Sequence, residues 1–234
     1  MTATPRPSPD IAQPRVALTA GIALLLMAVL APFAYFFVLQ GLVEPADAAA
    51  TVDNITASEG LFRTGIAAWL VIIALDIVVA WALYVLLRPV NEALAVLVAW
   101  MRLVYTAIFA IAVANLFDVA QLLGGAERSA FGPEQLQAQV MSSIASFENG
   151  WDIGLAIFGL HLLGLGVLLF GPTVFSRVLG ALVMVAGGGY LADSLGEILV
   201  PGYAVSLAVF TFVGEVLLIG WLFWVAIKGF RSGS

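Results

Sequence analysis

The chain has no cysteine, one histidine and one lysine, and only 10% of its 234 residues are charged. Without cysteine there is no disulfide, no thiolate nucleophile and no cysteine-held iron–sulfur centre. His161 alone cannot supply the paired axial ligands of a transmembrane b-type haem, nor a three-histidine zinc site. Lys228 stands at the end of the last apolar run, where snorkelling is its natural role; a retinal Schiff base needs a lysine deep in a bundle. There is no Walker loop and no dinucleotide glycine motif. The formal net charge is −6 and no basic patch suggests nucleic acid as a partner. No metal or other cofactor is expected.

What is present is apolar. Hydrophobic residues make up 62% of the chain, and the mean hydropathy is +1.08. Soluble domains are about half apolar and about a quarter charged, so this composition belongs to an integral membrane protein. The expected fold is all-α, a polytopic bundle of six transmembrane helices in one domain over residues 16–228. Apolar runs at 16–42, 61–87, 94–123, 151–170, 178–199 and 203–227 are each long enough to cross a hydrocarbon core. The first run follows Arg6 and Arg15 as a signal peptide would. It is too long for a signal core and reads as a retained anchor.

Positive charge sets the expected orientation. With six spans, Arg6, Arg15, Arg88, Arg177, Lys228 and Arg231 fall on one side, while Glu44, Asp47, Asp53, Glu59, Glu127, Glu134 and Glu148 crowd the other, beside Arg63 and Arg128. The positive-inside rule then makes both termini cytoplasmic. Residues 1–15 and 229–234 read as cytoplasmic tails, the first Pro-rich and disordered. Outside, Gly132-Pro133-Glu134 is a helix start, and Leu136, Val140, Ile144 and Phe147 recur at helical spacing. Residues 133–147 thus read as an outer interfacial helix.

Five of the six runs carry an ionisable residue far from their ends: Asp76, Arg102, His161, Asp193 and Glu215. Charge in hydrocarbon is expensive and usually functional. Around the tight turn Arg88-Pro89-Val90-Asn91, Asp76 lies 12 residues before Arg88 and Arg102 lies 11 after Asn91. Both therefore sit roughly 17 Å above the turn, facing one another across a helical hairpin as an expected ion pair. His161 and Glu215 reach roughly 14–20 Å from the same side, and Asp193 stands higher. Tyr105 shares a face with Arg102, and Tyr190 with Asp193. If Asp76 neutralises Arg102, Glu215 and Asp193 have no fixed cation unless His161 is protonated.

These seven residues form the candidate ligand or proton site. No catalytic set assembles: Ser194 follows Asp193, but the elbow glycines that would expose such a serine are missing. Gly187-Gly188-Gly189 either breaks its helix at a binding site or permits close helix approach, and Gly150 with Gly154 permits the same. Trp151, Tyr203, Trp221 and Trp224 read as interfacial anchors.

In combination, Leu87-Arg88-Pro89-Val90-Asn91, Trp100-Met101-Arg102-Leu103 and Gly159-Leu160-His161-Leu162-Leu163 resemble domain-of-unknown-function family 4386, a set of bacterial membrane proteins. Arg177-Val178-Leu179-Gly180, Gly189-Tyr190-Leu191-Ala192-Asp193-Ser194, Gly214-Glu215 and the stretch from Asn54 to Phe62-Arg63 fit as well. The resemblance covers nearly the whole chain after residue 15. It implies six spans in a bacterial inner membrane and no established activity. Two functional expectations stand. One is a small binding or transport module working on a proton, an ion or a small ligand. The other is a non-catalytic scaffold or accessory subunit, whose charges pair helices within a homodimer or with another membrane protein. Lipid-exposed polar faces would favour the scaffold, and an inward cluster favours a site. An intramembrane enzyme is the third and weakest expectation.

Overall fold

A computed structural model describes residues 12–125, 131–171, 173–203, 205, 207 and 213–232. Every regular element among them is helical. The N-terminal tail expected at 1–15 lies outside the described residues as far as residue 11, as do Glu127 and Arg128.

Helix α1, Ala12–Pro32, begins inside that expected tail; Pro14 falls in its first turn, where a missing N–H costs nothing. Pro32 ends the regular turn, because its ring crowds the carbonyl four residues back. The chain continues as the π-helical segment Phe33–Leu39 and the single turn Gln40–Leu42. The widened turn lays Val38 against Gly65 so closely that a Cβ added to Gly65 would lie 2.8 Å from a Val38 methyl.

Helix α2, Ala48–Ala57, is short and has no counterpart in the expected spans. It is built from caps. Asp47 accepts from the Ala50 N–H at 2.9 Å, and the buried Thr51 hydroxyl accepts from the Glu44 N–H at 2.8 Å. Asn54 reaches back to donate to the Leu42 carbonyl.

Helices α3, Glu59–Leu87, and α4, Glu92–Gly124, form the expected hairpin. Asn91 caps α4 by accepting from the Leu94 N–H at 3.1 Å. Helix α5 runs unbroken over 37 residues, Pro133–Leu169. The separate outer helix read at 133–147 is therefore the first four turns of the same helix. Leu136, Val140, Ile144 and Phe147 are all buried within the bundle. Their spacing marks an amphipathic helix correctly, but the polar residues between them had suggested an end that the backbone does not have.

Helix α6, Val174–Leu199, starts earlier than the expected 178, and Thr173 caps it. The last helix, α7, runs Val213–Ser232, so the expected tail at 229–234 is helical as far as Ser232. The expected sixth run began at 203, yet Tyr203, Val205 and Leu207 are not helical; residues 208–212 lie outside the described residues.

Each long helix packs on its chain neighbours. Helix α7 meets both α6 and α1, so α1, α3, α4, α5, α6 and α7 close into a ring. Small residues set the spacing. A Cβ at Gly159 would lie 2.7 Å from the Gly187 carbonyl, and one at Gly180 would lie 2.7 Å from that of Gly166. Within the glycine triplet it is Gly187 that serves the close approach of α5 and α6, while a Cβ on Gly188 would meet nothing, and α6 passes through the triplet unbroken. Gly150 plays the same part toward Ala112 on α4.

Among the described residues, five helices are long and apolar enough to cross a membrane: Gln13–Leu42, Glu59–Leu87, Glu92–Gly124, Pro133–Leu169 and Val174–Leu199. Large apolar side chains such as Phe37, Ile111 and Val174 point outward, as residues facing lipid do.

Candidate functional site

Helices α3, α4 and α5 each contribute one ionisable residue to a single buried point. Asp76 and His161 have no exposed surface, and Arg102 keeps 2%. The hairpin register delivers the expected ion pair, with Arg102 Nη2 2.5 Å from Asp76 Oδ1. The pair is closed off from solvent: Asp76 Oδ2 and Arg102 Nε are buried with it.

The other face of the guanidinium meets His161, with Nη1 3.3 Å from Nε2. The imidazole Nδ1 lies 2.8 Å from the Val98 carbonyl. A carbonyl only accepts and a guanidinium only donates, so the two contacts fix the tautomer. Nδ1 carries the proton and donates to Val98, and Nε2 accepts from Arg102. His161 is therefore neutral here, so the condition under which it would supply a cation for Glu215 and Asp193 is not met in this arrangement. With both nitrogens engaged, it is also no base for Ser194.

Phe158, one turn before His161 on α5, joins this cluster to the next. Arg102 Cζ lies 5.3 Å from its ring centroid, and the imidazole stacks at 5.5 Å. Tyr105 approaches it at 4.9 Å and Tyr190 at 5.4 Å. Tyr190 in turn donates to Glu215 Oε1 at 2.9 Å, tying α6 to α7. Both are partly buried. Beyond Tyr105 the interior is aromatic: Phe109, Trp69, Phe147 and Trp151 touch in succession. Trp151 therefore faces into the bundle, not outward as an interfacial anchor.

Asp193 stands apart from the cluster. Its Oδ1 accepts from the Tyr203 hydroxyl at 2.8 Å and from the Leu207 N–H at 2.9 Å, so it holds the segment that follows α6. That bond, first among the causes, raises the Tyr203 hydroxyl above the ordinary phenol value. Tyr203 is thus the partner of a carboxylate as well as a residue near a span end. At the rim of α7, Lys228 Nζ lies 4.2 Å from the ring centroid of Trp224, in keeping with a snorkelling lysine.

Of the seven expected site residues, Asp76, Arg102 and His161 meet directly. Tyr105 reaches them through ring contacts, and Tyr190 with Glu215 lies on the far side of Phe158. Phe158 and the Val98 carbonyl were missed. Only their positions three and four residues from His161 and Arg102 hint at them, and an apolar residue at that spacing is ordinary. An open groove of about 360 Å³ between α3 and α4 includes none of these residues in its lining. Among the described residues no cluster of His, Asp and Glu could hold a metal ion.

The family model described as "Domain of unknown function (DUF4386)" matches residues 19–226. An uncharacterised protein of Archaeoglobus fulgidus is 36% identical over 158 residues, which is 68% of this chain and 79% of the relative's length. No solved structure matches the chain.

Proposed function

The chain belongs to the DUF4386 family, and we propose that it is a small six-span membrane module that binds and passes protons. The working centre is the Asp76–Arg102–His161 cluster with Tyr190–Glu215 beside it. The observation that carries this reading is the meeting of three ionisable side chains from consecutive helices at a fully buried point. Such an arrangement is costly, and as a stability device it returns little, since polar contacts between membrane helices average about 0.6 kcal/mol. A proton fits better than a larger ligand, because the three side chains already touch.

The closed helix ring supports counting α7 as the sixth span, since it packs between α1 and α6 like the others. With Arg15, Arg88, Arg177 and Lys228 then on one side, both termini are cytoplasmic, and the inner membrane of a bacterium is the proposed setting. The scaffold reading asks for charges on the lipid-facing surface. Asp76, Arg102 and His161 point inward, which favours a site over a mating surface.

A pH-step infrared difference spectrum of the reconstituted protein tests this. Proton exchange gives a carboxyl band that disappears in Glu215→Gln. A spectrum without carboxyl bands, with Glu215→Gln altering assembly alone, would favour the scaffold.

A further inference from the structure

The groove between α3 and α4 has its own chemistry, independent of the buried cluster. Its lining is Ile77, Ala80, Trp81 and Tyr84 from one helix and Val96, Ala99, Trp100 and Leu103 from the other. Ala80 and Ala99 are the smallest of these, and the indoles of Trp81 and Trp100 rise around them, 52% and 64% exposed. The groove leads toward the Arg88–Asn91 turn. Arg88 lies one turn beyond Tyr84 on the same face of α3, and Glu92 lies one turn before Val96 on the same face of α4. Both are exposed, and among the described residues neither takes part in an ion pair. An open apolar slot thus ends, at the membrane surface, in one cation and one anion a few residues apart.

We propose that this groove is a binding site for a phospholipid whose headgroup carries a phosphate and a free primary ammonium, as phosphatidylethanolamine does. The acyl chain lies along the alanines. Arg88 takes the phosphate, to which a guanidinium donates in pairs, and Glu92 accepts from the ammonium. The indoles lie roughly 10 and 12 Å below Arg88 and Glu92, by residue count, within reach of the ester region where tryptophan collects in membranes. A headgroup with phosphate alone leaves Glu92 facing an anion. A trimethylated ammonium offers Glu92 no N–H.

The test is native mass spectrometry of the full chain in detergent, with phosphatidylethanolamine, phosphatidylcholine and phosphatidylglycerol supplied in equal amounts. Wild type should retain phosphatidylethanolamine about tenfold better than the other two, the scale of one charge-assisted hydrogen bond. Glu92→Gln should erase that preference while binding persists, and Arg88→Gln should weaken all three lipids. Ala99→Leu, which fills the floor, should displace lipid while the melting temperature without lipid stays near wild type. Equal retention of the three lipids by wild type, or unchanged preference in Glu92→Gln, would overturn the proposal. So would a dimer mass that vanishes in Ala99→Leu, since the occupant would then be a second copy of the chain.

Discussion

Asp76 and Glu215 are both carboxylates on apolar helices, and their surroundings answer them differently. Asp76 is wholly buried and meets a guanidinium, which a neutral histidine steadies from the other side. Glu215 is partly buried and meets a tyrosine hydroxyl. Asp193, on the same side of the ring as Glu215, likewise takes a hydroxyl and a backbone N–H. The α3–α5 region therefore confines a charge pair that neither member can leave without stranding the other. The α6–α7 region satisfies its acids with neutral donors, which tolerate a change of protonation. Held charge on one side and exchangeable charge on the other is what a proton-handling module needs.

Breaking the confined side should have the largest effect. Arg102→Gln leaves Asp76 buried without its cation and should destabilise the protein by about 3–5 kcal/mol, read by thermal unfolding in detergent. Asp76→Asn combined with Arg102→Gln should recover a good part of that loss, because no lone charge remains. A double variant as unstable as the single would mean that the pair is not what Arg102 is there to satisfy. Removing the steadying histidine is the next step down. His161→Phe takes away the acceptor facing Nη1 and should cost about 1–3 kcal/mol in the same assay.

The neutral side should yield less. Tyr190→Phe removes the donor to Glu215 and should change stability by only about 0.6 kcal/mol. A loss as large as that of Arg102→Gln would erase the contrast between the two regions. The smallest effect is a titration. Tyr203 is held above the ordinary phenol value of about 10 by its bond to Asp193. Because its folded value is the higher one, its contribution to stability is complete below the unfolded value and fades as pH rises through the folded one. Phenolate absorbance should therefore show one tyrosine, absent in Tyr203→Phe, titrating late in wild type and earlier in Asp193→Asn.

The confined side was legible in the chain because a four-residue turn leaves its hairpin almost no freedom. Counting from Arg88 and Asn91 places Asp76 and Arg102 at one depth, and neither could stay buried alone. His161 was legible in depth but not in protonation, since its tautomer depends on a carbonyl that carries no side-chain signal. The other side was less legible. Asp193 and Glu215 lie on helices joined by a longer segment, so their rotations are not fixed by any count. Asp193 turned out to serve that segment. Helix α2 escaped notice because it is held by Asp47, Thr51 and Asn54 caps and not by a run of apolar residues. Residues 133–147 misled in the opposite way, since polar residues between apolar ones look like a membrane boundary even where one helix continues through them.

The most direct measurement is proton flux into liposomes carrying the purified protein, followed with a trapped pH dye after a pH step. Wild type should collapse the gradient faster than protein-free liposomes do, and Glu215→Gln, folded to the same melting temperature within a few degrees, should fall back to the protein-free rate. A wild-type rate no greater than that of empty liposomes would contradict proton passage, and a Glu215→Gln rate equal to wild type would remove Glu215 from its path.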